Sequence, residues 1–413
     1  MKKYDIVVVG GGPAGSAAAW QAATSGASVL CVDKARFPRD KPCGDGLTPR
    51  ALGLLEGMGL SAELERFPVV EYLKIRGSSS WQVRWPDRPG LPNFARVARR
   101  LEFDELLLTH AAGAGAEVRQ SCEAIAPIRT GDLVTGIEVR TARSTTERIR
   151  ADIVIAADGA YSPMKKALGL ESRISGPVGV AVRAEMPSNR PHDPSFEIHM
   201  PLRFDRRYIP GYGWVFPLED GRINVGAGYL TTFRQWRDIN LVGMLGDFMK
   251  SLPPEWQLPE IAELRKARAV QAWRLPMGFT AWPPWRPGLL LAGDAVGAIK
   301  PTNGAGISKA LQSGLDASEC AVAALAAGGP HDLSGYERAL RRRWGLQYGL
   351  ARGAFRAVGH PRPISLAVRA LDHAPIRRLA IRAGFGRDAL RDYSDGPDRI
   401  PAAVPGPTVR DAG

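Results

Sequence analysis

The chain has 413 residues, 45% of them hydrophobic, and this length predicts two or three domains rather than one core. No apolar run reaches the roughly 18 residues of a membrane-spanning helix, so we expect a protein that is soluble or peripheral to a membrane. Its 55 Lys and Arg residues exceed 42 Asp and Glu residues, for a formal net charge of +13 that suits an anionic surface or an acidic partner. Signatures of nucleic-acid-binding folds are missing from the sequence, so we expect no nucleic-acid partner.

The N-terminal segment predicts a dinucleotide-binding unit. Residues 3–9 form an apolar, β-branched run typical of a buried parallel strand, and the sequence GGGPAG follows at residues 10–15. In such a fingerprint Gly10 allows a tight turn, Gly12 lets the backbone approach a pyrophosphate, and Gly15 lets the next helix pack closely. A helix is predicted from Pro13 to about residue 25. A second strand at residues 28–32 ends in Asp33, where an acid accepts a ribose hydroxyl.

The N-terminal segment and the cysteines indicate the cellular compartment and whether a metal site is expected. Lys2 and Lys3 before an apolar run resemble a signal peptide, but Asp5 and the glycines interrupt that pattern. The four cysteines lie far apart and lack metal-ligand spacing. We therefore expect a reducing, cytoplasmic location and no metal site.

The middle of the chain predicts a long loop followed by mixed elements. Residues 34–48 form a connection longer than most, and such loops usually have a function. We expect a helix at residues 49–57, strands at 69–75 and 81–85, and an amphipathic helix at 99–113. Short alternating segments at 117–118, 124–129 and 135–139 predict a small sheet beside the nucleotide-binding unit.

Two further segments repeat the pattern of an apolar strand that ends in a glycine and an acid. The first is a strand at residues 151–156 followed by Asp158 and Gly159. The second is a strand at 288–292 followed by Gly293 and Asp294. Acids at the carboxyl ends of parallel strands face the crevice where ligands bind. Between them, residues 176–273 alternate in short strands and predict an inserted antiparallel domain.

The fold class expected is therefore α/β, with a Rossmann-like nucleotide-binding domain, an inserted antiparallel β-sheet substrate domain and a C-terminal helical region. The predicted nucleotide-binding domain is discontinuous and comprises residues 1–68, 96–172 and 275–330. The predicted substrate domain comprises residues 69–95 and 173–274. A basic helical region is expected at 331–395, and a flexible tail rich in Pro and Gly at 396–413.

The three motifs together, in this order, resemble the FAD-dependent oxidoreductases of the p-hydroxybenzoate hydroxylase fold. The resemblance implies FAD as the cofactor, with the second motif beside the flavin and Asp294 at the ribityl or pyrophosphate portion. It also implies that Arg100 contacts the flavin from the start of its helix. The cofactor-binding residues expected in this way are Gly10, Gly12, Pro13, Ala14, Gly15, Asp33, Lys34, Cys43, Gly44, Arg100, Asp158, Gly159, Gly293, Asp294, Gly304, Gly306 and Ile307.

Within this fold the sequence is similar to the geranylgeranyl reductase family, which includes menaquinone reductases. The likeness rests on residues 37–50, on GYGWVFP at residues 211–217, and on Asn224 and the two residues after it; it covers about residues 1–325. It implies that reduced FAD delivers a hydride to an isoprenoid carbon–carbon double bond, in a geranylgeranyl chain or a menaquinone tail. The expected substrate is thus a lipid or another apolar small molecule.

Four residues are candidates for the chemistry. Tyr212 and Trp214 alternate with Phe216 on one strand face, where aromatic side chains either line an apolar pocket or pack in the sheet core. Cys43 is a candidate proton donor, since a thiol is mostly protonated at neutral pH; alternatively it packs on the flavin ring. Lys300, where many relatives have an uncharged residue, either tunes the flavin, binds an acidic substrate or points to solvent. Asp45, also in the Cys43 loop, either orients that loop or caps a turn, and we favour the turn.

Other functions stay open at this stage. An aromatic monooxygenase or halogenase of the same fold would use reduced flavin with oxygen, although the halogenase motif Trp-x-Trp-x-Ile-Pro is only partly matched because Tyr212 takes its first place. A flavin-binding redox scaffold is a further alternative. The electron donor is either NAD(P)H or an acidic ferredoxin. The Arg-rich C-terminal helices are expected to contact such a ferredoxin or the inner face of a membrane.

Overall fold

The computed structural model describes residues 3–77, 80–170, 178–205, 207–232, 235–357, 370, 373, 375–376, 378 and 394–395. The strands are β1 (Lys3–Val9), β2 (Val29–Val32), β3 (Gly46–Leu47), β4 (Val69–Val70), β5 (Tyr72–Arg76), β6 (Trp81–Arg84), β7 (Ala95–Val97), β8 (Glu117–Arg119), β9 (Cys122–Thr130), β10 (Leu133–Thr141), β11 (Thr146–Ala156), β12 (Val178–Pro187), β13 (Ser195–His199), β14 (Leu202–Phe204), β15 (Arg207–Ile209), β16 (Gly211–Pro217), β17 (Arg222–Leu230), β18 (Gln271–Pro276), β19 (Trp285–Arg286), β20 (Leu289–Leu291) and β21 (Ser394–Asp395).

The α-helices are α1 (Pro13–Thr24), α2 (Pro49–Gly57), α3 (Ser61–Leu64), α4 (Arg100–Gly113), α5 (Pro163–Ala167), α6 (Leu241–Lys250), α7 (Ile261–Lys266), α8 (Ile307–Ala326), α9 (Ser334–Leu340) and α10 (Leu346–Ala357). Short 3₁₀ turns occur at Trp236–Asp238, Pro254–Trp256 and Gly293–Ala295, and a π-helical turn at Arg341–Gly345 joins α9 to α10.

The first sheet has β1 at its centre and confirms the predicted α/β fold. Its strand order is β8, β2, β1, β11, β20, β19, and only the last pair is antiparallel. Strand β1 is apolar along most of its length because helices cover both faces of such a sheet. The chain runs from β1 to β2 on one side of β1 and later crosses to β11 on its other side, so the carboxyl end of β1 lies at a topological switch point.

The expectation of a small separate sheet beside this unit is wrong. Strand β8 pairs with β2 in the parallel sheet, and the β9–β10 ribbon pairs with β11. The reason is the length of β11. Its first half, from Thr146 to Ile149, extends beyond the end of β1 and pairs with β10, while its second half pairs with β1 and β20.

Helix α8 crosses α1 in close contact on one face of this sheet. A Cβ atom at Gly314 would lie 2.0 Å from the carbonyl oxygen of Ala14, so only glycine allows this approach. The alanine-rich sequence of α1 presents little side-chain bulk to its neighbours. The crossing places the start of α8 near the glycine-rich turn at the end of β1.

The second sheet is mainly antiparallel, as the alternating sequence predicts. Its order is β18, β12, β17, β16, β13, β5, β6, β21, and β13 with β5 is its one parallel pair. Helix α6 packs on it through an apolar side that contains Met244, Leu245 and Phe248. Strands from residues 72–84 therefore share a sheet with strands from residues 178–276.

The helices after α8 pack back onto the first unit. Arg343 forms a two-pronged ion pair with Asp316 of α8, and the hydroxyl of Tyr348 donates to the carbonyl of Ala298. Most of the predicted basic helical region after residue 357, and the predicted tail at 396–413, lie outside the described residues. No helix in the described part of the chain has the length and apolar character that crossing a bilayer requires.

Candidate active site

The turn between β1 and α1 has glycines for two different reasons. Gly10 adopts a φ of +101°, and a Cβ there would lie 2.5 Å from the carbonyl oxygen of Ala157. A Cβ at Gly15 would lie 1.7 Å from the carbonyl oxygen of Gly10. At Gly12, however, the nearest atom would be a guanidinium nitrogen of Arg39 at 3.4 Å. The fold thus requires Gly10 and Gly15, whereas Gly12 keeps backbone open for a ligand to approach.

Asp33 fixes the shape of this turn. Its carboxylate accepts hydrogen bonds from the backbone N–H of Gly11 at 2.7 Å and of Ala35 at 2.8 Å. A carboxylate has about four acceptor positions, so both oxygens retain capacity for a ribose hydroxyl. Lys34, the next residue, is exposed.

Two arginines face the open side of Gly12. Arg100 forms a bidentate ion pair with Asp104, with both N···O distances at 2.6 Å, and Arg39 reaches the same carboxylate at 2.8 Å. A guanidinium nitrogen from each arginine lies within 4.0 Å of the position that a Gly12 Cβ would take. Two positive charges share one acid here, which leaves a surplus of positive charge that fits a pyrophosphate.

The other two motifs lie at the same edge of the sheet. Gly293 has a φ of +61°, and a Cβ on it would touch Ala14 at 2.8 Å. Asp294 pairs with Lys41 at 3.1 Å. Asp158 accepts from the N–H of Met164 through one oxygen, while its Oδ1 is buried without a partner in the described structure; burial raises its pKa to about 6. The glycine-rich turn, the paired arginines and the partnerless Asp158 oxygen fit a bound dinucleotide.

The loop before α8 is closed by its own backbone and tied to the second sheet. The N–H of Lys300 donates to the carbonyl of Ala305, and the N–H of Gly304 donates to the carbonyl of Lys300. The Tyr212 hydroxyl of β16 donates to the Asn303 carbonyl at 2.7 Å. Gly304, with φ of +68°, lies under that hydroxyl, and Gly306 precedes the first residue of α8, Ile307.

Strand β16 presents its three aromatic side chains on one face, as predicted. The ring centroids of Tyr212 and Trp214 are 6.1 Å apart, and those of Trp214 and Phe216 are 6.5 Å apart. A Cβ added to Gly44 would lie 3.1 Å from the ring of Phe216 and 3.4 Å from Nε1 of Trp214. The aromatic face therefore packs directly on the Cys43 loop.

A hydrogen-bond chain fixes this loop to the sheet. Nε1 of Trp214 donates to Oδ1 of Asn224 at 2.9 Å. The amide nitrogen of Asn224 then donates to the Cys43 carbonyl at 2.8 Å and to Oδ2 of Asp45 at 2.7 Å. Each polar atom of the Asn224 side chain is thus engaged in holding the loop against β17.

The environment of Cys43 keeps its thiol protonated. Burial and the charge of Asp45 raise the pKa of the thiol, while the guanidinium of Arg100 and the N–H of Asp45 act in the opposite direction. Burial, with the charge of Cys43, likewise raises the pKa of Tyr212 to about 12. Both groups therefore hold protons at neutral pH.

The expectation that Asp45 caps a turn is wrong. Its side chain is fully buried and bonds to Asn224, and burial raises its pKa to about 7. The loop turns through Asp45 itself, which has a φ of +62°, and this geometry directs the carboxyl into the interior instead of toward a neighbouring backbone N–H.

Lys300 does not simply point to solvent. It is half-buried, and burial together with the charge of Arg88 lowers its pKa. Its charge acts in turn on Lys309 of α8, whose pKa falls to about 8 because of burial and then the charges of Lys300, Arg50 and Arg343. Lys300 thus belongs to a cationic cluster beside the start of α8; its contact with flavin or substrate stays a prediction.

Several residues of the site were not predicted from the sequence. Arg39 and Lys41 come from the long loop after Asp33, and the only signal for them was two bases in a loop of unusual length. The sequence motif includes Asn224 but does not indicate that this residue anchors the Cys43 loop. The four cysteines are all free.

Comparison with known proteins agrees with the cofactor that this geometry fits. The family model described as FAD binding domain matches residues 3–225, which is more than half of the chain. The fold and the site thus define an FAD-dependent oxidoreductase.

Individual relatives indicate which family of FAD-dependent oxidoreductases the chain belongs to. A menaquinone reductase of Mycobacterium tuberculosis is 37% identical over 317 residues, 76% of each chain. Digeranylgeranylglycerophospholipid reductase 1 of Methanopyrus kandleri is 32% identical over 78% of this chain and 81% of its own. A solved geranylgeranyl bacteriochlorophyll reductase-like structure from Thermoplasma acidophilum shares the fold with a TM-score of 0.78 at 24% identity, covering 95% of this chain and 98% of that one. The chain belongs to the geranylgeranyl reductase family of FAD-dependent oxidoreductases.

Proposed function

We propose that this protein reduces carbon–carbon double bonds of an isoprenoid chain, in a menaquinone tail or a geranylgeranyl lipid. The observation that carries the proposal is the aromatic face of β16, which contacts both loops expected beside the flavin. Trp214 and Phe216 pack on Gly44, and Tyr212 bonds to Asn303. An aromatic wall at this place suits an apolar chain. The sequence relatives named as menaquinone and digeranylgeranylglycerophospholipid reductases support the same substrate class.

The residues of this chain shield the reacting bond from water and deliver a proton to it. Bound reduced FAD supplies the hydride for such a reduction. The β16 aromatic face shields the reacting bond from water, which an unactivated alkene requires. Cys43 carries the proton, because its buried thiol stays neutral, and Arg100 beside the sulfur stabilises the thiolate left after proton release.

Anaerobic flavin spectroscopy tests this function. The purified enzyme is reduced with dithionite, freed of excess reductant and mixed with menaquinol or a geranylgeranyl lipid, because the ring of a quinone would itself reoxidise the flavin. We expect the oxidised flavin absorbance to return without oxygen. Flavin that stays reduced until oxygen enters, followed by a hydroxylated or halogenated aromatic product, would instead assign the monooxygenase or halogenase chemistry.

We propose NAD(P)H or an acidic ferredoxin as the electron donor. The net charge of +13 favours an acidic protein, while enzymes of this fold also accept hydride from nicotinamide without a second glycine-rich fingerprint. Anaerobic bleaching of the flavin by NADH or NADPH supports the nicotinamide. Bleaching only by a reduced ferredoxin, and its weakening by salt, supports the protein donor.

We also propose that the enzyme meets its lipid substrate at an anionic bilayer through one face of α10. Leu346 and Leu350, one helical turn apart, are 79% and 68% exposed, and the exposed Arg342 lies one turn before them. Exposed leucines beside arginines suit insertion among anionic headgroups. The same helix packs through Tyr348 on Ala298, close in sequence to the loop that Tyr212 contacts.

Vesicle flotation tests this surface. Wild-type protein is expected to float with phosphatidylglycerol vesicles and much less with phosphatidylcholine vesicles. The double variant Leu346→Ser and Leu350→Ser should lose flotation and keep its flavin content. Equal flotation of wild type and variant would contradict the assignment. If the variant floats normally but no longer binds an acidic ferredoxin, the face belongs to the electron donor instead.

A further inference from the structure

Asp45 is a buried carboxyl whose hydrogen bonding is incomplete. The residue has 0% exposure, and Oδ2 accepts the bond from Asn224. Oδ1 is buried and has no protein partner in the described part of the chain. A buried carboxylate oxygen without a partner is costly, so this oxygen requires a proton, a water molecule or a ligand.

The groups that face Asp45 come from each element packed against its loop. They are Cys43 of the same loop, Arg100 of α4, Asn224 of β17, and Arg183 and Glu185 of β12. Burial raises the pKa of the carboxyl, Arg183 lowers it and Glu185 raises it, and the result is a value of about 7. Asp45 therefore exchanges its proton close to neutral pH.

Arg183, whose charge acts on the Asp45 carboxyl, has its own partners on the side of the solvent. The Nε atom of Arg183 is also buried without a protein partner, while its other nitrogens bind Glu185 and Asp40, each at 2.8 Å. Glu185 and Asp40 line an open, charged cleft of about 370 Å³. A water molecule between Arg183 and Asp45 would satisfy both partnerless atoms and complete a polar path from the cleft to the Cys43 loop.

We propose that Asp45 is the proton reservoir of the reduction, and that it is refilled from the cleft at Glu185 by way of water held by Arg183. The inference rests on the proposed function. In each turnover bound reduced FAD would supply the hydride that one carbon of the double bond receives, and FAD would itself be oxidised. The other carbon receives the proton of the Cys43 thiol as the S–H bond breaks. The thiolate then takes the proton of the Asp45 carboxyl, and the carboxylate regains one from solvent; Arg183 stays protonated throughout.

The variant Asp45→Asn removes the group that titrates and keeps the structure of the loop. Asparagine tolerates the left-handed backbone conformation, and its side-chain oxygen still accepts the bond from Asn224. It cannot release a proton. The matched control is Asp132→Asn, because Asp132 is an exposed surface acid with 96% side-chain exposure.

The first readout needs no substrate. Infrared difference spectra of the oxidised holoenzyme are recorded between about pH 5 and about pH 9, a range that spans a carboxyl pKa near 7. We expect a protonated carboxyl band with a midpoint near pH 7 in wild type and in Asp132→Asn that is missing in Asp45→Asn, whereas the band of Asp158, with a midpoint near pH 6, stays in all three. A band near pH 7 that is missing from wild type, or unchanged in Asp45→Asn, overturns the proposal.

The second readout is the anaerobic rate of repeated isoprenoid turnover in excess dithionite, compared with the first flavin reoxidation. In wild type repeated turnover should slow as pH rises through about 7, because the reservoir empties. In Asp45→Asn repeated turnover should be at least about tenfold slower and flat in that range, while the first reoxidation, which uses the Cys43 proton, changes little. Glu185→Gln should slow repeated turnover more than the first turnover. A wild-type rate and pH profile in Asp45→Asn overturns the proposal, as does a titrating band in a protein with no isoprenoid turnover, which contradicts the proposed function as well.

Discussion

At the scale of single residues, two glycines of the first turn have different roles: Gly12 serves cofactor binding and Gly15 serves folding. The Cβ of Gly12→Ala meets only a flexible arginine end at 3.4 Å, whereas that of Gly15→Ala would overlap a backbone oxygen at 1.7 Å. We expect Gly12→Ala to lose most of its FAD while its free energy of unfolding without FAD changes by less than about 1 kcal/mol. Gly15→Ala should lower the free energy of unfolding by about 1–3 kcal/mol or more.

Flavin absorbance and urea unfolding of FAD-free protein measure the two effects in the two glycine variants. Normal FAD content in Gly12→Ala would show that the open side of this turn does not face the cofactor. An unchanged unfolding midpoint in Gly15→Ala would show that the close contact between the turn and α1 is relieved at little cost.

The hydrogen bond from Trp214 to Asn224 gives a second prediction at this scale. Trp214→Phe keeps an aromatic ring but removes the donor, leaving a buried Asn224 oxygen without its bond, at a cost of about 1–3 kcal/mol. Because Asn224 holds the Cys43 loop, we expect isoprenoid turnover to fall several-fold at constant FAD content. A parallel loss of turnover and FAD would instead give Trp214 a purely structural role.

At the scale of elements, Glu197 links β13 to β5 and to the segment before β13. The side chain is 4% exposed and contacts Arg76, Arg190 and His199. Burial acts to raise its pKa, but the bond from His199 and the charges of His199, Arg190 and Arg76 outweigh burial and lower the pKa to about 2. The ion pairs therefore contribute stability above the unfolded-state pKa, and this contribution is lost as pH falls through about 2.

Glu197→Gln tests this pH dependence. At neutral pH the variant should be less stable by about 3 kcal/mol, because buried arginine loses its charged partner. The difference between wild type and variant should shrink as the pH approaches 2. Urea unfolding at neutral and acidic pH measures it, and a difference that does not change with pH would contradict the assignment.

Local patterns account for the elements that were predicted correctly. In each of the three motifs a glycine or an acid stands within a few residues of the end of an apolar strand, so these positions follow from periodicity and turn chemistry. The alternation of β16 likewise predicted that Tyr212 and Trp214 share a face. The small separate sheet was predicted wrongly because alternation identifies a strand but not its partner, which the length of β11 determines.

At the scale of the whole molecule, the site depends on contacts between distant parts of the chain. Lys41 and Asp294 are 253 residues apart in sequence, and Asp45 and Asn224 are 179 apart. No local pattern encodes such pairs, which is why Arg39, Lys41 and the burial of Asp45 became visible only in the folded chain. The resemblance to a family supplied the cofactor and the order of the domains, while the anchoring of the Cys43 loop came from the structure.

The two sheets meet at this loop, and that arrangement supports the central claim. The first sheet provides the FAD-binding edge, and the second provides the aromatic face that covers Gly44. One measurement tests the claim most directly: anaerobic incubation of dithionite-reduced enzyme with menaquinone and geranylgeranyl lipids, followed by reoxidation of the quinol in air and mass spectrometry of the lipids, so that only hydrogens added to the isoprenoid chain are counted. The account predicts products heavier by two hydrogens for each bond reduced. Unchanged lipids together with an oxygen-dependent aromatic product would contradict it.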